Sequence, residues 1–286
     1  MPHSQSNWQE FVAGWQLDIY RDPIYCGVIA GVLLGYLGVF IVLRRMVFVT
    51  AAVSQAAGLG VALAFFFAMR FSLAVPPVAG AITLALLCTA VFALPLERLP
   101  ISRESVLGVV YLATWAGAVM VGDRIAQEAH DIASILFGTA VLVQPADLWA
   151  LIAIAAATLA LHLWWQRAIV FAIFDGEGAR VQGLPVRLLD LSSWLFTSLA
   201  VSIATRALGV LPVFAFAVLP AATGLMLARR LRWVLIIAAV AGALAGGGGY
   251  LVAFFHEFPV GASQAASAAG LFLAALLVWA VRRARS

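Results

Sequence analysis

Lysine is absent from this 286-residue sequence, and all 17 basic residues are arginine. The absence reads as a compositional bias of the genome, with no chemistry of its own. Cysteine is scarce: Cys26 and Cys88 stand in separate apolar segments. That excludes a disulfide framework and any CxxC metal knuckle, and leaves two buried free thiols as the expectation. Charge of either sign is also thin, at 10% of residues, where soluble domains carry about 25%. In its place stand 64% hydrophobic residues and a mean hydropathy of +1.05. A water-soluble fold of this length cannot hide so much apolar surface. The solvent for most of the chain is lipid, where an unpaired charge at the bilayer centre costs several kcal/mol.

Missing motifs narrow the function. There is no Walker A sequence, so any ATP must be hydrolysed by another chain. HExxH, GxSxG and a paired intramembrane aspartate are also missing, which argues against an embedded enzyme. The arginines flank apolar runs and form no basic stripe with interleaved aromatics, so nucleic acid is not an expected partner. Residues 1–22 are polar, with Trp8, Phe11, Trp15 and Tyr20 at loosely helical spacing. They lack a basic n-region followed by an apolar h-region, so an interfacial amphipathic segment is expected in place of a cleavable signal. The expected division is an interfacial segment over 1–24 and a transmembrane domain over 25–286.

Crossing about 30 Å of hydrocarbon takes roughly 20 apolar residues. Nine segments qualify: 25–43, 46–68, 73–94, 106–121, 146–165, 188–207, 210–227, 233–254 and 262–281. The division near Leu208 and Gly209 is the least distinct. The expected fold is an all-α polytopic bundle of about nine spans, with eight as the alternative. Placing Arg282, Arg283 and Arg285 in the cytoplasm, as the positive-inside bias directs, puts 13 arginines inside. Only Arg21, Arg70, Arg124 and Arg206 then fall outside. Nine crossings with an external N-terminus preserve this sorting, whereas an even number scrambles it.

Two segments between spans are longer than minimal turns. Residues 122–145 are expected outside, with a short helix lying at the interface. Residues 166–186 are expected inside as a non-helical stretch carrying a short helix that stops at a glycine. Small residues recur within the spans, as at Gly31 and Gly35, 56–60 and 242–249, where they allow close helix packing in lipid. Pro76, Pro77, Pro212 and Pro220 are expected to break or kink spans. Ionisable residues are nearly absent from span centres: His162 and Asp190 fall near cytoplasmic ends and Arg206 near an external end. Gradient-driven carriers usually keep such groups near the midplane, so an ion-coupled carrier is disfavoured.

Residues 43–63, LRRMVFVTAAVSQAAGLGVAL, resemble the membrane permeases of ABC importers for zinc, manganese and iron, in which LRRM precedes a GDxxSHxxLPG-like helix. Further matches follow in order. They are the opening of the span after Ser102, SILFG and PADLW within 131–149, FDGEGARVQGL at 174–184, VLPAATGLMLARR at 218–230, and the PxG element at 258–261. The resemblance implies an all-α homodimeric permease in a bacterial inner membrane, without enzymatic activity or cofactor. It implies a separate ATP-binding subunit and a periplasmic or lipid-anchored substrate-binding protein as partners. It further implies that the short helix bearing Asp175, Glu177, Arg180 and Gly183 couples the permease to the ATPase. A short charged helix at the membrane surface is physically suited to pass a rigid-body movement to attached spans.

The second span departs from the family pattern. Thr50 and Ala51 stand where the family has Gly-Asp, Gln55 where it has His, and Leu59 where it has Pro. The family's Asp and His lie four apart, on one helical face, and resemble a cation gate. Ala51 offers no ligand and Gln55 only an amide oxygen. Thr50, Ala51, Ser54 and Gln55 are therefore the gate or path candidates. Three readings stay open. Metal passes with ligands from elsewhere, such as His130, Asp131, His256 or Glu257; the cargo is a metal complex or another solute; or the chain has lost transport and serves as a paired or regulatory permease. A secondary carrier or channel without an ATPase is the competing class.

Overall fold

The computed structural model describes residues 20–73, 75–93, 102–125 and 143–284. Among them it is entirely helical: α1 (Arg21–Leu43), α2 (Val47–Phe71), α3 (Pro77–Ala93), α4 (Arg103–Ile125), α5 (Pro145–Phe174), α6 (Gly176–Val181), α7 (Val186–Leu208), α8 (Val210–Leu227), α9 (Leu231–His256) and α10 (Val260–Ala284). Each of the nine expected spans coincides with a helix. Eight of the helices are long and apolar enough to cross a membrane, and α3 is a shorter apolar helix. Most of the expected interfacial segment over 1–24, and residues 126–142 with the expected external helix, lie outside the described residues.

Two expectations about connections need correction. The chain does not leave the helix at Gln166, because α5 continues unbroken to Phe174, 30 residues in all. At 1.5 Å per residue that is about 45 Å, more than the hydrocarbon needs. Gln166 and Arg167 are compatible with a helix, and the apolar residues 168–174 carry it on. Similarly α4 runs past Gly122 to Ile125. Of the prolines, Pro76 and Pro77 cut the expected span 73–94 short, its helix starting only at Pro77. Pro77 opens α3 and Pro212 sits in the first turn of α8, where no intrahelical N–H is lost. Pro220 lies inside α8 without ending it.

Helices α1 and α2 are the most enclosed spans, while α4 and α10 bury the fewest of their residues. Close packing around α1 follows from its glycines. Gly31 meets the backbone of Gly242 on α9 so tightly that a Cβ on either would strike the other's carbonyl oxygen. A Cβ on Gly246 would likewise strike the Gly27 carbonyl oxygen, and one on Gly38 the Ala217 carbonyl oxygen of α8. Gly60 of α2 and Gly80 of α3 make the same contact. Lipid gives no hydrophobic drive for helix association, so this backbone proximity and its dispersion contacts hold the bundle. Polar ties supplement it. Gln264 of α10, fully buried, donates its amide N–H to the Gly246 carbonyl at 3.0 Å, and the Thr89 and Ser198 hydroxyls bond α3 to α7.

The helix ends are chemically marked. Gln144 caps α5, Pro145 follows at the first helical position, and the Gln144 N–H donates to the Asp147 carboxylate at 3.0 Å. The indistinct junction of α7 and α8 is a single residue, Gly209, at φ 93°. That left-handed value favours glycine and turns the chain in one step.

Candidate translocation site

Of the four gate candidates on α2, three share a cavity. Ala51, Ser54 and Gln55 line a space of about 700 Å³ between α2, α4 and the start of α8. Thr50 is buried on another face of the helix and does not line it. Its hydroxyl donates back to the Val47 carbonyl at 2.6 Å, and the Ser54 hydroxyl to the Ala51 carbonyl at 3.0 Å. Both donors are thus spent on their own helix. The Gln55 amide oxygen is buried with no hydrogen-bond partner. It is left free to accept from a guest, and the Ser54 oxygen keeps acceptor capacity beside it.

The opposite wall was not anticipated. Glu104, Gly108, Tyr111, Leu112 and Trp115 of α4 line it across from Gln55, joined by Phe214 of α8. These α4 positions fall at helical spacing on one face, a stripe present in the sequence. Nothing in the sequence said which helix they would oppose. Glu104, in the first turn of α4, is the single carboxylate among the described residues of the wall and lies toward the end of the bundle where α2 and α4 begin. The remainder is aromatic or aliphatic. Among the described residues no three His, Cys, Asp or Glu side chains come together.

Of the other metal candidates, His256 and Glu257 do not line this cavity. His130 and Asp131 lie outside the described residues. His256 and Glu257 sit at the exposed end of α9, where Glu257 takes φ 56° as the helix stop. The His256 ring stacks on Phe258, with Nδ1 3.1 Å from the Val252 carbonyl oxygen.

The coupling candidates form one compact feature. Asp175 ends α5 and caps α6, its carboxylate accepting from the Gly178 N–H at 2.8 Å. Gly183, at φ 80°, reverses the chain after α6, and the Leu184 N–H closes the turn on the Ala179 carbonyl at 3.0 Å. Ala179 is wholly buried and seats α6 on the bundle, while Phe174, Glu177, Arg180 and Val181 are exposed. A six-residue helix is thereby held at both ends with charged and apolar groups facing outward.

Sequence reasoning noted Arg44, Asp190 and Arg206 one at a time and missed their pairings. Arg44 Nη1 lies 2.8 Å from Asp190 Oδ1, binding the α1–α2 turn to α7, and its guanidinium stands over the Trp194 ring. At the far end of α7, Arg206 lies 3.6 Å from Asp147.

A helical bundle enclosing a cavity at α2, with a rigid outward-facing helix at one end and no nucleotide-binding motif, defines a polytopic membrane permease. The ABC 3 transport family matches residues 16–279, and the chain belongs to that family: it is a membrane permease subunit of an ABC importer. Membership decides against a stand-alone carrier or channel. The chain is 26% identical over 252 residues to the manganese transport system membrane protein MntC of Halalkalibacterium halodurans, covering 88% of this chain and 84% of that one. It is 26% identical over 257 residues to the chelated iron transport system membrane protein YfeD of Yersinia pestis, covering 90% and 84%. The solved structure of PsaBC from Streptococcus pneumoniae in complex with Fab superposes with a TM-score of 0.81 at 25% identity, covering 93% of this chain and 94% of that one.

Proposed function

We propose that two copies of this chain form the membrane path of a bacterial inner-membrane importer for a divalent metal, manganese or iron before zinc. The ATPase is a separate subunit seated on α6, and an external binding protein delivers the cargo. The observation that carries the ATPase assignment is α6 itself, fastened by Ala179 and the Asp175 cap yet presenting Phe174, Glu177, Arg180 and Val181 outward. An element so held transmits a push to α5 and α7 as a rigid body. The pairing of two copies is supported by α4, which lines the cavity yet buries few of its residues within one copy, so that a second copy against it would enclose the path. The metal class is supported by what MntC and YfeD are named for transporting.

The test is reconstitution of the chain with its ATPase and binding protein. Manganese-loaded binding protein should stimulate ATP hydrolysis, and Glu177→Arg should abolish that stimulation while leaving the dimer intact. Unchanged stimulation in Glu177→Arg would refute α6 as the coupling element.

A second reading of the cargo rests on the cavity wall. A bare Mg²⁺-like or Ca²⁺-like ion asks for about six to eight oxygen ligands, and the wall supplies the Gln55 amide, the Tyr111 and Ser54 hydroxyls and the Glu104 carboxylate among apolar neighbours. A space of about 700 Å³ is of the size that holds a small organic molecule. On this reading the metal travels inside a complex whose own donors saturate it. Uptake of manganese citrate exceeding that of manganese alone at equal metal supports it; the reverse order rejects it.

A further inference from the structure

A second cavity of about 700 Å³ lies between the α1–α2 turn, α3, α6 and α7, away from the candidate path. Its rim carries the guanidiniums of Arg44, Arg180 and Arg187 and the carboxylate of Asp190. Arg44 is committed to Asp190 at 2.8 Å and is largely withdrawn from solvent. Arg180 and Arg187 have no ion-pair partner among the described residues, so the described residues of the rim keep an excess of two positive charges. Apart from Thr89, whose hydroxyl is taken by Ser198 and the Ala85 carbonyl, the remaining described wall is mainly apolar, with Leu86 and Ala90 on α3 and Leu191 and Leu195 on α7. Arg187, Leu191 and Leu195 succeed one another at intervals of four residues, so one stripe of α7 runs from charge to hydrocarbon over about 12 Å. Trp194 stands beside this boundary with Arg44 over its ring at 5.9 Å, as tryptophan does at membrane interfaces.

We propose that this groove binds an anionic phospholipid of the cytoplasmic leaflet, its phosphate between Arg180 and Arg187 and one acyl chain along Leu191 and Leu195. The inference rests on the reading above that places α6 on the cytoplasmic side. An occupant must satisfy two guanidiniums and cover a wall built from membrane-span residues. A soluble anion answers only the first requirement, and a segment of the ATPase would have to enter the hydrocarbon to answer the second. Basic pockets between helices on the cytoplasmic side are suited to such headgroups. Because Arg180 belongs to α6 and Arg187 to α7, the lipid ties the outward helix to the bundle.

The test uses the full-length permease, purified and delipidated, and native mass spectrometry after addition of phosphatidylglycerol or phosphatidylcholine. Wild type should retain phosphatidylglycerol in preference to phosphatidylcholine. Arg187→Gln should weaken retention on the order of five-fold, the worth of one arginine near an anionic surface. Leu191→Trp, which fills the apolar wall and leaves the charge intact, should weaken it as well. Arg229→Gln, an equal loss of charge on an exposed residue that does not line the groove, should not. Equal retention of the two lipids, or equal loss in Arg187→Gln and Arg229→Gln, would overturn the proposal. Displacement of bound phosphatidylglycerol by millimolar inorganic phosphate would overturn it in favour of a soluble anion. Capture of the ATPase subunit lost in Leu191→Trp with lipid retention unchanged would overturn it in favour of a protein dock. Lipid retention is read without ATP or cargo, so its failure is separable from a failure of the transport assignment, which the ATPase measurement alone reports.

Discussion

Asp147 of α5 and Arg206 of α7 face each other across 3.6 Å, their side chains 4% and 10% exposed. The same carboxylate oxygen accepts from the Gln144 N–H, so one buried group caps α5 and neutralises the end of α7. The Arg206 Nε is buried without a partner of its own, and the pairing is what offsets the cost of withdrawing its charge.

Arg206→Gln should therefore leave Asp147 uncompensated. Breaking a buried pair from one side costs roughly 3–5 kcal/mol, so the melting temperature of the detergent-solubilised protein should fall clearly. Combining Arg206→Gln with Asp147→Asn should recover much of the loss. Equal melting of Arg206→Gln and wild type would mean that the pair contributes nothing.

Gly31→Val should prevent the α1–α9 approach, because its Cβ would collide with the Gly242 carbonyl. Gly248→Val, on the same α9 but with nothing within 4 Å, should be tolerated. Size-exclusion profiles of the two variants check the contrast: aggregation or loss for the first, a wild-type peak for the second.

Ala51→Asp with Gln55→His should build two metal donors one turn apart on the cavity wall. Zinc titration calorimetry on the purified chain should show affinity at least about ten-fold tighter than wild type, a gain of roughly 1.4 kcal/mol. No gain would mean that the two positions do not address a common point in the cavity.

Asp175→Ala should remove the cap of α6 at a cost of about 1 kcal/mol. Amide hydrogen exchange should accelerate over Gly176–Val181 and stay unchanged in α2. Cargo-stimulated ATP hydrolysis by the assembled importer should fall in step, since a frayed helix transmits less of the stroke. Faster exchange with full stimulation would separate the rigidity of α6 from coupling.

The helices were legible from local signals. Each apolar segment is long enough to show itself without reference to any other, and Asp175 and Gly183 announce the start and stop of α6 within a few residues. Helices α4 and α5 outrun their apolar segments because helix does not end where lipid ends: Arg167 stops the apolar run but not the hydrogen-bonded ladder. At the gate, adjacent residues were grouped by sequence. Thr50 and Ala51 differ by about 100° around the helix axis, and only Ala51 meets the cavity.

By itself the sequence determined the class of solvent, the helical spans, the short outward helix and, through ordered motifs, the kind of permease. These depend on composition and on intervals of a few residues. Only the tertiary structure decided which helix faces share a cavity, that Tyr111 and Trp115 oppose Gln55, and that Arg44 reaches Asp190. In lipid, neighbours are chosen by backbone fit at glycines such as Gly31 and Gly242. That fit is a property of two distant segments together, and neither segment carries it alone.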